Sequence, residues 1–371
     1  MKLNIAVLGG DGIGPEVTEQ AVKALDAVAD FYNHDFHFFP ALVGATAIDQ
    51  TGTPLPDETL AICKKCDTVL FGAIGDPKYD NNPHTTIYPE QALLSLRNEL
   101  DLYANIRPVI VYNYLLNNSP LKPQNARGTN ILIYRELRGG LFYGDKGIRN
   151  DGNQAFDSCT YTVQEIEEIA HDAFEAAKNR KKKLTLVDKS NVLETSRLWR
   201  RVVIKMAENY PEVEVEWMYV DQAAAKIILE PRSFDVILTA NLIGDFISEE
   251  ASALVGSKGI MASASLGKKY SLFEAIHGSY NEATNKGIAN PIGAILSAAM
   301  LLDHFDLTTE ANAIKGAVTK AMQLNLTTPD LNSHKPLSND KIGDFIADYI
   351  CNPDLTDFNI ENIYLGQSTI I

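Results

Sequence analysis

Apolar runs of strand length alternate with segments of helical periodicity along most of the chain. A continuous apolar run at residues 3–8 predicts a buried strand, and residues 15–29 after it predict a helix. The same order returns where a predicted strand at 184–187 precedes a long helical pattern over 193–209. Further predicted elements are strands at 68–71, 217–220 and 234–238 and helices over 57–65, 89–98 and 245–254. Repeated strand-then-helix order is typical of an α/β protein with much parallel strand pairing.

Three segments depart from this alternation. Apolar residues at 131–134 and 141–143 flank Arg138-Gly139-Gly140, which predicts a chain reversal between paired strands. Residues 149–160 are polar and rich in Gly, Asn and Asp, so we expect a loop or an arm there. The weakly patterned residues from 352 to the end are expected to form a tail.

The size and charge of the chain narrow the class of protein. With 371 residues it exceeds the usual size of one hydrophobic core, so two domains are expected. A formal net charge of −15 repels phosphate backbones and anionic lipids, so we expect no nucleic-acid partner and no membrane partner. The longest apolar run in the later part, residues 292–302, is too short to span a bilayer.

The cysteines and the start of the chain indicate a reducing compartment. Cys63 and Cys66 have the spacing of a redox or metal pair, but the sequence contains no second such pair. We therefore expect ordinary reduced thiols. Residues 1–8 form only a short apolar run that a glycine-rich segment ends, unlike a signal peptide. The expected location is the cytoplasm.

A glycine-rich turn, residues 9–15, lies between the first predicted strand and helix. Dinucleotide-binding loops have a third glycine three residues after the second, but counting from Gly10 and Gly12 that position is Pro15. Proline suits the first turn of a helix. We therefore expect no Rossmann-type phosphate grip. Two interpretations stay open: close backbone approach to a ligand, or a tight strand-to-helix turn.

Three arginines, Arg97, Arg107 and Arg135, are candidates for carboxylate binding, because guanidinium groups bind carboxylates in a bidentate way and stay charged. An acidic chain that binds an anionic substrate must concentrate its arginines at one place. The alternative is that each arginine forms an ordinary surface ion pair. That alternative is weakest for Arg135, which ends an apolar strand.

Acidic residues are candidates for a metal site. Asp245 and Glu249 are four residues apart on a predicted helix and so share a face, and Asp221 follows an apolar run. Carboxylates without histidine or cysteine suit a hard cation such as Mg²⁺ or Mn²⁺. The alternative is a solvated helix face near a helix N-terminus.

Lys189 and a loop of small residues are further candidates. Lys189 follows a predicted strand, at the end where ligands gather in α/β sheets, and a lysine near a metal or another cation can act as a base. An ordinary exposed lysine is the alternative. The loop 277–290 could wrap an adenine nucleotide. Its Glu282 could bind a ribose diol and would repel a 2′-phosphate, which favours NAD over NADP.

Taken together, these segments closely resemble the β-decarboxylating dehydrogenase family, whose members include isopropylmalate and isocitrate enzymes. The resemblance runs from about residue 3 to residue 350. The matching stretches are residues 7–16, Leu93-Leu94-Ser95-Leu96-Arg97, Ala104-Asn105-Ile106-Arg107-Pro108, Arg135-Glu136-Leu137, Val187-Asp188-Lys189, Gly244-Asp245 and Ile276-His277-Gly278-Ser279. The pair Leu93-Leu94 resembles the apolar pair that isopropylmalate enzymes place against the isopropyl group.

The resemblance implies a two-domain α/β fold that is distinct from the Rossmann fold. The first domain would contain residues 1–102 and 256–371, and the second would contain residues 103–255. The resemblance also implies a homodimer with shared active sites, in which Lys189 and Asp221 reach across to the other subunit.

The resemblance further implies a role for each candidate residue. The substrate, a small dicarboxylic 2-hydroxy acid, would contact Arg97, Arg107, Arg135, Asp221, Leu93 and Leu94. Asp221, Asp245 and Glu249 would bind Mg²⁺ or Mn²⁺, and Lys189 would remove the hydroxyl proton while hydride passes to NAD. NAD would lie along the segment 75–88 and the loop 277–290, at Gly75, Glu90, Asn191, His277, Gly278, Ser279, Glu282, Ile288 and Asn290.

Three positions depart from the family pattern. Phe142 stands where the family has the tyrosine that protonates the enol, and in a strand the adjacent Tyr143 would point to the opposite face. Glu249 replaces an aspartate, and Arg138 replaces a threonine and adds positive charge beside Arg135.

The first expectation is NAD-linked oxidative decarboxylation of 3-isopropylmalate in leucine biosynthesis. One alternative is an enzyme for another 2-hydroxy diacid, such as a tartrate, malate or homoisocitrate-like compound, because an extra cation at Arg138 could meet an extra carboxylate. The other alternative is a catalytically impaired binding protein, because Phe142 and Glu249 alter the acid and metal positions.

Overall fold

The alternation of strand and helix predicted from the sequence is confirmed in the computed structural model, which describes residues 1–80, 85–331 and 334–353. The strands are β1 (Lys2–Gly10), β2 (Asp35–Pro40), β3 (Thr68–Ala73), β4 (Leu102–Ile110), β5 (Asn130–Glu136), β6 (Lys146–Arg149), β7 (Gln154–Asp157), β8 (Lys183–Asp188), β9 (Glu214–Tyr219), β10 (Val236–Thr239), β11 (Ala262–Gly267) and β12 (Ser271–Ala275). The α-helices are α1 (Gly14–Tyr32), α2 (Ala45–Thr51), α3 (Asp57–Lys65), α4 (Pro77–Asp80), α5 (Gln91–Glu99), α6 (Pro123–Ala126), α7 (Val163–Lys178), α8 (Glu194–Ala207), α9 (Val220–Leu229), α10 (Asn241–Ser252), α11 (Ile292–His304), α12 (Thr308–Gln323) and α13 (Asn339–Cys351). Single 3₁₀ turns lie at Asn113–Leu115, Pro231–Ser233, Ala253–Val255, Lys258–Ile260, Asn281–Ala283 and Pro329–Leu331.

The chain divides into two compact units. Unit 1 contains residues 1–100 and 257–264 and the chain from residue 269 onward. Unit 2 contains residues 101–256 and 265–268. Each unit has its own set of strands and covering helices.

Unit 1 is built on the parallel strands β2, β1, β3 and β12, in that order. Strand β3 is buried along its whole length, which explains why its sequence is continuously apolar instead of alternating. Helix α1 buries Val17, Ala21, Leu25 and Val28 at helical spacing and packs against α11 and α13. It ends at Asn33, whose φ of 59° is left-handed and stops the helix.

Unit 2 is built on strands in the order β4, β5, β10, β8 and β9. Strands β4 and β5 are antiparallel, and the other neighbours are parallel. Helices α7 and α8 cover these strands, and Ile166, Phe174, Trp199 and Val203 are buried with Leu186 in one hydrophobic cluster. Strands β6 and β7 pair separately as an antiparallel hairpin.

The strand predicted at 141–143 is wrong. Residues 138–144 form bends and turns, so the chain does not reverse into a second paired strand. The carboxylate of Glu136 accepts the backbone N–H groups of Arg138 and Gly139 and turns the chain where β5 ends. A local hydrogen bond from a side chain here replaces the hydrogen bonds that a strand would need.

Besides shifts of a few residues at other boundaries, two larger differences concern residues 149–160 and helix α10. Within residues 149–160, where a loop or an arm was expected, strand β7 pairs with β6 in an antiparallel hairpin, which has the form of an arm. Helix α10 begins at Asn241 instead of residue 245, so Asp245 lies in the second turn and not at the positive end of the helix. Of the predicted tail, residues 354–371 lie outside the described residues.

Cys63 and Cys66 are both free and buried, and burial raises the pKa of the Cys63 thiol to about 12, as expected for ordinary reduced thiols. In the described parts of the chain, no helix combines the length and apolar character that crossing a membrane requires.

Candidate functional site

Two arginines lie on adjacent strands of unit 2. Arg107 on β4 and Arg135 on β5 are both buried, and the antiparallel register pairs Arg135 with Asn105. Arg107 donates from Nε to Asn105 Oδ1 over 2.6 Å and from NH1 to Ser248 Oγ over 2.7 Å. These acceptors are needed, because a buried charge without partners is costly.

The carboxylate of Asp245, on α10, lies close to both arginines. It accepts a hydrogen bond from Arg135 NH1 and lies 3.8 Å from Arg107 NH2. Arg135 also donates from NH2 and Nε to Asn241 Oδ1, over 2.9 Å and 3.2 Å. The Asp245 side chain is still 38% exposed, so a ligand can reach it. The structure thus joins two predicted substrate residues with one predicted metal ligand.

Asn105, Asn241 and Ser248 complete this site, and none of them is singled out by the sequence pattern. Asn241 carries a usable signal, because it precedes Asp245 by four residues and therefore shares its helix face. Asn105 likewise lies two residues before Arg107 on the same face of β4. Polar residues at these spacings from a candidate charge are therefore worth testing as its partners.

Lys189 and Asp221 form an ion pair in unit 2. Lys189 follows β8 and Asp221 follows β9, and these strands are parallel neighbours, so their carboxyl ends lie side by side. Lys189 Nζ donates to Asp221 Oδ1, and this hydrogen bond lowers the pKa of the Asp221 carboxyl. Asp221 is exposed and Lys189 partly exposed, so both remain accessible.

The three predicted metal ligands are not gathered in one chain. Asp245 and Glu249 share a face of α10, and Asp221 pairs with Lys189 instead. Across the described residues, no three His, Cys, Asp or Glu side chains form a group that could hold a metal ion. The donors are all carboxylate oxygens, which suit Mg²⁺ or Mn²⁺. A complete three-carboxylate site therefore needs a ligand from a second copy of the chain, and that arrangement stays a prediction.

Phe142 lies in the turn after β5, beside Arg135. The centroid of its ring is 5.7 Å from Arg135 Cζ, within the range of a cation–π contact. A phenyl ring at this position has no proton to donate. Tyr143 next to it is half-buried, and because residues 138–144 turn, the expected alternation of neighbouring side chains across a strand does not apply.

Arg138 does not add a free charge beside Arg135, contrary to the expectation. Its guanidinium binds Asp101 over 2.7 Å and also binds Glu168. It lies over the ring of Tyr103, 5.2 Å from the centroid. Two carboxylates already neutralise this cation, which removes the reason to expect an additional substrate carboxylate there.

In unit 1, helix α5 carries Leu93, Leu94 and Arg97 within about one turn. Arg97 is buried, and its NH2 lies 3.3 Å from Glu274 Oε1. Its Nε is also buried and has no hydrogen-bond partner among the described residues. The two leucines are half-buried. An unused buried donor near an apolar pair fits a ligand that carries a carboxylate and an alkyl group.

The glycines of the turn 9–15 pack against protein backbone. Gly10 and Gly12 have φ angles of 75° and 57°, a conformation that favours glycine. A Cβ at these positions would overlap the carbonyl oxygens of Ala73 and Ser279, respectively. The interpretation as a tight strand-to-helix turn therefore explains these glycines without a ligand.

Gly75, Glu90 and Ser279, three predicted cofactor residues, lie side by side in unit 1. Gly75 has a φ of 123°, and a Cβ on it would lie 2.9 Å from Glu90 Oε1 and 3.4 Å from Ser279 Oγ. The structure thus brings three separate segments together at one place. Residues 81–84 of the predicted segment 75–88 lie outside the described residues.

A cavity of about 280 Å³ opens beside the loop 277–290. Its lining includes the predicted cofactor residues His277, Gly278, Ile288 and Asn290. Burial lowers the pKa of His277, so its ring is neutral near pH 7. The Nε2 atom is buried and has no partner among the described residues. An unpartnered imidazole nitrogen at an apolar cavity fits the base of a nucleotide.

Two predicted cofactor residues of unit 1, Asn290 and Glu282, contribute little to this cavity through their side chains. The amide of Asn290 is already engaged, because Nδ2 donates to Asp330 over 3.0 Å and Oδ1 accepts from the N–H of Ile292 over 3.0 Å. Glu282 is exposed on a 3₁₀ turn and does not line the cavity. Asn191 is exposed after β8 in unit 2. Asn290 therefore shapes the cavity through its own hydrogen bonds.

Known proteins match this chain over most of its length. A family profile described as isocitrate/isopropylmalate dehydrogenase matches residues 4–346. A protein of Aquifex aeolicus named 3-isopropylmalate dehydrogenase is 48% identical over 336 residues, which cover 90% of this chain and 92% of that protein. A protein of the same name from Bacteroides fragilis is 45% identical over 352 residues, which cover 94% of this chain and 99% of that protein.

Among solved structures, the isocitrate dehydrogenase of Methylococcus capsulatus has a TM-score of 0.84 and 30% identity to this chain. The likeness covers 94% of this chain and 100% of that one. The expected α/β fold, which differs from the Rossmann fold, is confirmed by this likeness.

Proposed function

Because the chain belongs to the isocitrate/isopropylmalate dehydrogenase family, we propose that it catalyses the NAD-linked oxidative decarboxylation of 3-isopropylmalate in leucine biosynthesis. The structural observation that carries the choice of substrate is the apolar pair Leu93-Leu94 near the buried Arg97. A guanidinium beside two leucines suits a carboxylate that adjoins a branched alkyl group.

The three arginines bind the substrate carboxylates. Arg97 has a buried Nε that no described residue uses. Arg107 and Arg135 are held by Asn105 and Asn241, so their guanidinium groups are oriented before the substrate arrives. Preorganised guanidinium groups lose little conformational entropy when they bind a carboxylate.

Carboxylates bind the divalent cation, Mg²⁺ or Mn²⁺. The proposed ligands are Asp245 and Glu249, together with Asp221 of the partner subunit. When bound, the cation would polarise the substrate oxygen, and NAD would supply the hydride acceptor. The ion pair with Asp221 keeps Lys189 of the partner subunit next to the metal site. A cation bound by Asp221 would favour the neutral amine of Lys189, which can then remove the hydroxyl proton.

NAD binds in unit 1. The cavity beside loop 277–290 takes the adenine, and the unpartnered Nε2 of His277 supports this placement. The group formed by Gly75, Glu90 and Ser279 contacts another part of the cofactor. Glu282 lies outside the lining of the cavity, but it places an exposed negative charge on the loop 277–290, which disfavours a 2′-phosphate and favours NAD over NADP.

A homodimer completes the site. Phe246 on α10 is 67% exposed, Leu229 at the end of α9 is 70% exposed, and Ile148 on the β6–β7 hairpin is 73% exposed. These are the three most exposed large apolar side chains among the described residues, and all three lie in unit 2. Such side chains are typical of a surface that another protein covers. The net charge of −15 supports the absence of nucleic-acid and membrane partners, and we place the enzyme in the cytoplasm.

The decisive experiment assays the purified full-length chain with 3-isopropylmalate, NAD and Mn²⁺ and measures NADH and carbon dioxide separately. We expect NADH formation that depends on metal and a kcat/KM higher for 3-isopropylmalate than for malate, tartrate or homoisocitrate. Lys189→Ala should abolish activity, whereas Lys205→Ala, at an exposed lysine on α8, should not. If no NADH forms with 3-isopropylmalate, the proposal is refuted. If a polar diacid reacts faster, that diacid replaces 3-isopropylmalate as the proposed substrate.

Mixing inactive variants tests the shared site. Lys189→Ala and Asp245→Ala chains should regain activity when they are unfolded and refolded together, because a mixed dimer contains one intact site. Each variant refolded alone is the control. Absence of recovery, with mixed dimers present by mass spectrometry, would show that each chain builds its site alone.

A further inference from the structure

We propose that Asp11 is a positioning residue for the nucleotide cofactor, which acts by holding the backbone of Gly75 in place. The inference rests on the proposed function, because it takes Gly75 to contact NAD. Asp11 belongs to the glycine-rich turn, whose glycines are explained by packing against backbone and not by a ligand. The turn therefore serves the cofactor site indirectly.

The carboxylate of Asp11 is buried, at 3% exposure, and its hydrogen-bonding capacity is used inside unit 1. Oδ2 accepts the backbone N–H groups of Gly75 and Ala45, each over 2.9 Å. Oδ1 accepts the backbone N–H of Thr46 over 2.9 Å and its hydroxyl over 3.2 Å. A carboxylate offers about four lone-pair directions, and here four donors fill them. Asp11 thus has no direction left for a ligand of its own.

Through its hydrogen bond with Gly75, Asp11 is connected to the proposed cofactor site. Its φ of 123° is rare for residues with a side chain, and the backbone there passes close to Glu90 and Ser279. An N–H bonded to a buried carboxylate keeps the peptide plane in one orientation. A change at Asp11 therefore moves the backbone on which these side chains converge.

The same turn makes two further backbone hydrogen bonds to the segments that form this group. The N–H of Asp11 donates to Ala73 O over 2.8 Å, and the N–H of Ile13 donates to Ser279 O over 2.8 Å. The segment that ends β3 and the segment that contains Ser279 are thus both attached to residues 11–13. Within this turn, Asp11 supplies the side chain that accepts the N–H of Gly75. Its removal leaves that N–H without this acceptor.

The test measures the NAD affinity of the full-length chain by calorimetry, without substrate, so turnover is not required. For Asp11→Ala we expect the Kd for NAD to rise about tenfold or more, while the Kd for 3-isopropylmalate with Mn²⁺ stays unchanged. Asp11→Asn should recover part of the NAD affinity, because its carbonyl oxygen can still accept from Gly75 and Ala45, whereas its amide group meets the backbone N–H of Thr46 and loses that hydrogen bond. Rescue by asparagine separates positioning from charge.

Thr46→Val is the matched control. It removes the hydroxyl bond to the other carboxylate oxygen and leaves the bond to Gly75, so NAD affinity should not change. If Asp11→Ala does not fold, Asp11→Ser is measured in its place. The serine side chain is too short to reach the N–H of Gly75, so the same loss of NAD affinity is expected.

The outcomes distinguish this inference from the proposed function. If wild type binds NAD and the alanine or serine variant binds it equally well, the positioning role is overturned and the enzyme activity stands. Equal loss of NAD and substrate affinity would show a general structural role instead, and would also overturn it. If wild type binds no NAD, both the cofactor assignment and the positioning role fail.

Discussion

We expect Gly10→Ala to destabilise unit 1 far more than Gly52→Ala, although both glycines have the same left-handed backbone. Their φ angles are 75° and 80°. A Cβ on Gly52 would meet no atom within 4 Å, whereas a Cβ on Gly10 would overlap the Ala73 carbonyl oxygen, inside the 3.0 Å that real Cβ atoms keep. The two substitutions therefore separate backbone strain from steric overlap.

The expected free energies of unfolding follow from these two contributions. A non-glycine residue in the left-handed region costs about 1–2 kcal/mol, and the stiffer unfolded chain offsets about 0.4–1 kcal/mol of that cost. Gly52→Ala should therefore lose about 1 kcal/mol. Overpacking adds about 1–3 kcal/mol, and the upper end applies where the obstacle is the backbone of β3. Gly10→Ala should lose about 3 kcal/mol or more.

The assay must report on unit 1. Both tryptophans, Trp199 and Trp217, lie in unit 2, so their fluorescence does not follow unfolding of unit 1. Hydrogen exchange of the β1 and β3 amides gives the local free energy of opening in each variant. An equal loss of opening free energy in Gly10→Ala and Gly52→Ala would refute the reasoning, because the overlap at Gly10 would then be relieved without cost.

Three further substitutions test other parts of the structure. Arg135→Lys removes the planar contact with Asn241 and Asp245, so kcat/KM for 3-isopropylmalate should fall about 10–100-fold with the Kd for NAD unchanged. An unaltered kcat/KM would contradict the role of Arg135. Phe142→Tyr places a phenol near Arg135 and should accelerate the steps after hydride transfer about tenfold or more, seen as faster carbon dioxide release or enol protonation relative to NADH formation. No difference would mean that another group donates the proton. Burial raises the pKa of Glu136 from 4.5 to about 7, so the folded chain binds more protons than the unfolded chain between these values, and the stability of unit 2 should fall as the pH rises from 4.5 to about 7. Glu136→Gln should flatten this slope in urea unfolding followed by tryptophan fluorescence, and equal slopes in both proteins would count against the pKa assignment.

The amino-acid sequence by itself determined the type and order of the elements that have a clear apolar pattern, such as β1, α1, β3, β8 and α8. Strand β3 and helix α1 could be predicted because a fully buried strand forms a nearly continuous apolar run. In an amphipathic helix, apolar residues recur every three to four positions. Gly10, Gly12 and Pro15 indicated either a tight turn or close backbone approach to a ligand, because backbone torsion is a local property. The structure supports the tight turn. Charged residues near strand ends identified Arg135 and Lys189 as candidates, and the order of all candidates along the chain indicated the family.

The tertiary structure alone decided which polar groups are free to act. Arg138 resembles Arg135 in sequence, yet Glu168, 30 residues away, binds its guanidinium. Asn290 has the position of a ligand residue, but its amide binds Asp330, 40 residues further along the chain. Hydrogen bonds require donors and acceptors within about 3 Å, and only the folded chain brings such distant residues that close. The local pattern of hydrophobic and polar positions does not identify these hydrogen-bond partners.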